Sequence, residues 1–245
     1  MVWLRCRIGD GLMLANRMIA GAAAGVVSAS ITFETSVPDN ANETNYTFTS
    51  VDIGSAAADR QVLVGVGIGA DSRTFSSVKI HVPTVAADPT GTTMTSLIDV
   101  TTTGGFDRAG LFIATVASGT SAEIVVTTSG ANGRCGLAVW SVNGAASTAN
   151  DTLSSTASPM TGTIDCSAGG VIVAYAFPIA SGAGRTFTWA GVTEDFDEAV
   201  DGGNNTMHTG ASEAFDAVQT GLTVSCTASA SLSRQIMVAV SLDAA

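Results

Sequence analysis

The sequence predicts an all-β protein: a jelly-roll-like antiparallel β-sandwich of about ten strands, preceded by an N-terminal arm. Three observations carry that expectation. From Ile31 onward, short apolar runs alternate with polar residues at a period of two, the spacing at which successive side chains of a strand face opposite sides. β-branched residues dominate those runs. Gly, Ser, Thr, Asn and Asp separate the runs at intervals that suit a sandwich or barrel, and no stretch beyond residue 30 shows a 3.6-residue apolar period.

Residues 1–29 read as an arm that docks on something else. Arg5 and Arg7 precede an apolar stretch ending in the small-residue run VVSAS, as in a signal peptide, but Asp10 and Arg17 interrupt it. No uninterrupted run of about 18 apolar residues occurs, so no ordinary membrane span is expected. Residues 30–245 read as a single sandwich domain. Its strands are expected at 45–53 (NYTFTSVDI), 60–69 (RQVLVGVGIG), 76–82 (SSVKIHV), 108–116 (RAGLFIATV) and 121–128 (SAEIVVTT). Five more follow at 134–142 (RCGLAVWSV), 170–178 (GVIVAYAFP), 186–190 (TFTWA), 220–227 (TGLTVSCT) and 233–242. In 60–69, Val62, Val64, Val66 and Ile68 line one face while Gly65, Gly67 and Gly69 leave the other nearly bare. A bare face invites close approach, either by a neighbouring part of the same domain or by another chain. Polar turns at 83–94, 143–158 and 197–210 belong at the rims. No internal repeat of fixed period is visible.

Composition narrows the function. Charged residues make up 13% of the chain, against about 25% in ordinary domains, and Lys79 is the only lysine. With a net charge of −11 and nine arginines scattered singly, nucleic acid is not an expected partner. Cys6, Cys135, Cys166 and Cys226 lie far apart with no CxxC or Cys/His cluster, and the last three sit in or beside strand-like runs, so they read as free thiols.

Catalytic signals are sparse. His81 is expected to face solvent beside Lys79, and His208 has no partner at metal-ligand spacing. GxSxG is absent, and the glycines of GVGIGAD alternate inside a strand, whereas a phosphate loop would open a helix. The acidic stretch TEDFDEAVDGGNN offers Glu194, Asp195, Asp197, Glu198 and Asp201 as candidate calcium ligands, with Asn204 and Asn205 as added carbonyl donors. A glycosidase pair would have to come from this stretch or from Asp39 and Glu43. Trp140 reads as core, whereas Trp189, beside the acidic stretch, is the candidate ligand-facing aromatic. Asn-x-Thr sequons at Asn42, Asn45, Asn150 and Asn204 would matter only in a eukaryotic secretory protein. No cofactor and no catalytic residue is expected.

FTSVDIGSAAADRQVLVGVG at 48–67, GLAVWSVNGAA at 136–146 and FTWAGVTEDFD at 187–197 together resemble virion structural proteins of tailed bacteriophages. The resemblance implies a non-enzymatic β-sandwich protein of the particle: a capsid decoration or cement subunit, or a fibre-like module that binds a host-surface glycan. It also implies assembly in host cytoplasm, contact with the major capsid protein or other virion proteins, and a homo-oligomer, with a trimer favoured.

Overall fold

The computed structural model describes residues 28–69, 72–102, 104–180, 184–201, 203 and 205–245. Residues 1–27 of the expected arm, with Cys6, lie outside the described residues, as does Asn204. The described chain is all-β and antiparallel, with nineteen strands in place of about ten. Its first half holds β1 (Ser30–Asp39), β2 (Glu43–Asp52), β3 (Gln61–Gly69), β4 (Phe75–His81), β5 (Thr92–Thr93), β6 (Thr95–Thr101), β7 (Asp107–Thr115), β8 (Ser121–Asn132) and β9 (Cys135–Asn143). The second half holds β10 (Asp151–Ser155), β11 (Met160–Cys166), β12 (Val171–Ala176), β13 (Ile179–Ala180), β14 (Phe187–Ala190) and β15 (Thr193–Ala199). It closes with β16 (Met207–Ala214), β17 (Gln219–Ala228), β18 (Leu232–Arg234) and β19 (Met237–Leu242).

Four of the five sheets stack face to face as a pair of sandwiches, and the fifth is the two-stranded pair β13-β18. An outer sheet, β2-β8-β4-β5, covers the five-stranded sheet β1-β9-β3-β7-β6. A second five-stranded sheet, β10-β19-β12-β16-β15, lies against the first and is covered in turn by β11-β17-β14. Strand alternation assigns the layers. Val62, Val64, Val66 and Ile68 of β3 point outward to Tyr46, Phe48, Ile80 and Ile124. Leu63 on the same strand points inward, with Leu111 and Trp140, to Val173, Tyr175 and Val240 of the second half. Ile172, Ala174 and Ala239 then face Ile164, Trp189 and Val224. Strands buried on both faces need apolar residues throughout, which is why β3, β9, β12 and β19 read as nearly continuous apolar runs.

The halves are copies of one topology. Strand for strand, the order 1-9-3-7-6 matches 10-19-12-16-15, and 2-8-4 matches 11-17-14. Registers agree as well. Ser141 pairs with Val62, the second residue of β3, and Ser241 pairs with Ile172, the second residue of β12. Thr74 and Ser129 exchange backbone and hydroxyl hydrogen bonds before β4, and Thr186 and Ser229 do the same before β14. This repeat escaped the sequence because a sandwich position asks only for an apolar residue of fitting size, so little identity persists beyond Arg73-Thr74-Phe75 and Arg185-Thr186-Phe187.

The bare glycine face is filled by the other half of the same chain. The rings of Tyr175 and Phe177 lie directly over Gly65 and Gly67, leaving no room for a Cβ at either position. Gly136 receives Tyr175 and His208, and Gly210 receives Trp140 and Phe196. Glycine here is a notch for an aromatic ring.

Candidate functional site

Polar groups converge on the seam between the two five-stranded sheets. His208 on β16 is fully buried, and its Nε2 lies 3.1 Å from Glu198 Oε2 on β15. Ser36 on β1 donates to the same carboxylate oxygen at 2.6 Å. The Tyr175 hydroxyl donates to Gly136 O at 3.1 Å and sits 3.4 Å from His208 Nδ1. Burial pulls the His208 imidazole below its ordinary value, against the opposing influence of Glu198 and Asp197. Burial pushes Glu198 up, but the hydrogen bonds from His208 and Ser36 outweigh it and leave this carboxyl below its usual range. The order is hydroxyl, acid, imidazole. In a hydrolytic triad the imidazole stands between the other two so that it can take the hydroxyl proton, and here the acid occupies that place. The trio ties the halves together.

Further ties repeat across the seam. Trp140 Nε1 donates to Asp195 at 2.7 Å, and burial raises that carboxyl despite hydrogen bonds from Trp140 and Ser212. Arg134 in the first half pairs with Asp201 of the second at 3.4 Å and donates to Thr206. Arg234 in the second half reaches back to Asp107 of the first at 2.8 Å. The two arginines stand seven residues before Ser141 and Ser241, so they are equivalents exchanged between halves.

The acidic stretch is strand β15 and the turn after it, which disperses the candidate calcium ligands. Asp195 and Glu198 face the seam, whereas Asp197 Oδ2 accepts from Phe187 N at 2.7 Å on the opposite side. Burial raises Glu194 and Asp197. Asp201 accepts from Asn205 N at 2.8 Å and pairs with Arg134. Among the described residues no group of three or more His, Cys, Asp or Glu is placed to hold a metal ion. Trp189 faces the core and not a ligand: it is buried, and its Nε1 donates to Thr209 Oγ1 at 2.9 Å. His81 also departs from its expected solvent-facing position, since it is buried with Nδ1 2.7 Å from Asp88 O. Cys135, Cys166 and Cys226 are free and buried, and burial raises all three thiols, Cys166 to about 11. Asp39 caps its own turn through Ala41 N at 2.8 Å.

Arg60, part of the AAADR string, has a role that the sequence did not disclose. Fully buried, it donates to the carbonyls of Val116, Gly54, Ser118 and Gly119 at 2.6–2.9 Å and so clamps two loops. The surface carries two polar recesses of note. One, of about 410 Å³, is lined by Glu34, Asp52 and Ser141 among others, with Ser141 donating to Glu34 at 2.5 Å. The other, of about 470 Å³, is lined by Arg73, Arg134, Arg234 and the exposed ring of Phe106. Comparison with protein-family models, curated proteins and solved structures gives no match to this chain.

Proposed function

We propose that the chain is a non-enzymatic structural protein of a tailed-phage virion, a decoration or cement subunit on the outer surface of the head. One observation carries this reading: the buried ionisable groups of the seam are used inside the fold, where Glu198, His208 and Asp195, with Trp140, lock two sandwiches into one block. The outer strands present Thr, Ser and Asn, a surface of low charge suited to lying against other proteins. Each half is read as a jelly-roll-like sandwich, since strands alternate between facing sheets in the way that two interlocked Greek keys require. In this reading residues 1–29 dock on the major capsid protein or a neighbouring virion protein, and copies assemble into a cyclic homo-oligomer, a trimer by preference.

The test is the copy number and position of the chain in purified particles, by quantitative gel and single-particle imaging. Hundreds of copies on the shell are expected, and deletion of 1–29 should release them while leaving the sandwiches folded. A few copies confined to a tail or vertex would overturn the decoration role and favour a receptor-binding module.

A further inference from the structure

We infer that the arginine recess is a binding site for an acidic saccharide, with Arg73, Arg134 and Arg234 holding its carboxylate or sulfate and Phe106 stacking on the sugar ring. This site is independent of the particle role. Three of the chain's nine arginines, far apart in sequence, meet at one end of the stacked sandwiches. By contrast Arg60 is spent on four carbonyls, and Arg108 forms a two-pronged pair with Asp99 at 2.5 and 2.6 Å.

The recess arginines are held without being covered. Asp201 and Asp107 grip Arg134 and Arg234 from the opposite half, yet the two arginine side chains remain 33% and 38% exposed. A guanidinium fixed this way loses little freedom when it meets an anion, and its planar fork matches a carboxylate or sulfate. Arg73 uses Nε to hold Ala131 O at 3.2 Å, and among the described residues it makes no ion pair. It therefore supplies positive charge that no acid among the described residues pairs with.

The remaining features select a sugar among anions. Phe106 is one of two large apolar side chains exposed among the described residues, and Arg234 lies over its ring at 5.1 Å. An aromatic face beside a cationic cluster suits a ligand with an apolar C–H face and an acid group on one rim. Asn40 and Asn42 add exposed amides that can donate to and accept from hydroxyls. The recess falls in the size range of small-molecule sites, about 300–1,000 Å³. A nucleic acid would need a longer basic track, and the net charge of −11 would repel it.

The full-length protein is to be applied to an array of uronate-, sialate- and sulfate-bearing saccharides beside their neutral parents. Arg73→Gln, Arg73→Lys and Phe106→Ala are run in parallel. Both positions are exposed, so unchanged urea midpoints are expected for the variants. Retention should be confined to acidic saccharides. Titration of the best-retained compound should show binding about tenfold weaker in Arg73→Gln, the effect of one lost charge-assisted hydrogen bond, with partial recovery in Arg73→Lys. Equal retention of neutral parents, no retention of any acidic sugar, or retention untouched by Arg73→Gln and Phe106→Ala would each overturn the site. So would inorganic sulfate binding as tightly as the sulfated sugars, which would leave a bare anion site.

Discussion

Replacing Gly65 with alanine would place a methyl carbon 2.7 Å from Tyr175 Cδ2, 2.9 Å from Tyr175 Cγ and 3.2 Å from Trp140 Cζ3. Carbon atoms settle at about 3.5–4.0 Å, so something has to move. Neither ring is free to do so: Tyr175 is anchored to Gly136 O and Trp140 to Asp195. Overpacking of this kind costs about 1–3 kcal/mol. Alanine's smaller loss of backbone freedom in a strand returns about 0.5–1 kcal/mol. The expected net loss is about 1–2 kcal/mol, or a fall in Tm of about 3–6 °C for a chain of this size. Urea unfolding measures it, with Gly133→Ala as control, because nothing lies within 4 Å of a Cβ there and its change should stay within about 0.5 kcal/mol. Adding Tyr175→Leu should recover part of the loss in a double-mutant cycle. A Gly65→Ala protein as stable as wild type, with an unchanged denaturant slope, would refute the notch.

Two further perturbations test the buried polar groups. Arg60→Ala strips four carbonyls of their donor and should cost about 3–5 kcal/mol, with Arg60→Lys intermediate; a cost below about 1 kcal/mol by thermal unfolding would contradict the clamp. His208 is held below its unfolded value of about 6.5, so the unfolded chain takes up this proton first. Its stabilisation is complete above that value and is lost as pH falls through it toward the native value, at up to about 1.4 kcal/mol per pH unit. Urea midpoints should therefore fall from pH 7.5 to 5.5 in wild type and less steeply in His208→Gln. Asp195 and Asp197, raised by burial, act in the opposite sense within the carboxylate range, and the variant removes only the histidine's share. A wild-type midpoint that rises on acidification would overturn this assignment.

Much of the fold was legible because alternation is a physical demand on a strand with one apolar side. Val62 to Ile68, Trp140 and the buried cysteines stand where the pattern put them. The glycine notches were legible as close approach, though not as approach by a second copy of the same topology. What failed were readings that used residue type without the partner across the sheet. His81 was placed by its neighbour Lys79, yet the 83–91 loop folds back and Asp88 O accepts it. The acidic stretch looked like a loop because strands seldom carry so many carboxylates, but an edge strand facing histidine and tryptophan partners accommodates them. The arginine recess was invisible in principle, since only the stacking of the halves brings residues 73, 134 and 234 together.

The exchanged arginines, Arg134 to Thr206 and Arg234 to Asp107, have the pattern of a self-complementary dimer contact written within one polypeptide, since Thr206 and Asp107 occupy equivalent places after β15 and β6. Tethering makes that contact intramolecular, so dilution does not weaken it. It also releases the two copies from having to be identical. A true homodimer would offer every feature near its axis twice, whereas here Phe106 comes from one half only, beside an arginine from each. Fusion thus converts a twofold surface into one with a single orientation, and a ligand or neighbouring protein bound at that end meets one geometry instead of two equivalent ones.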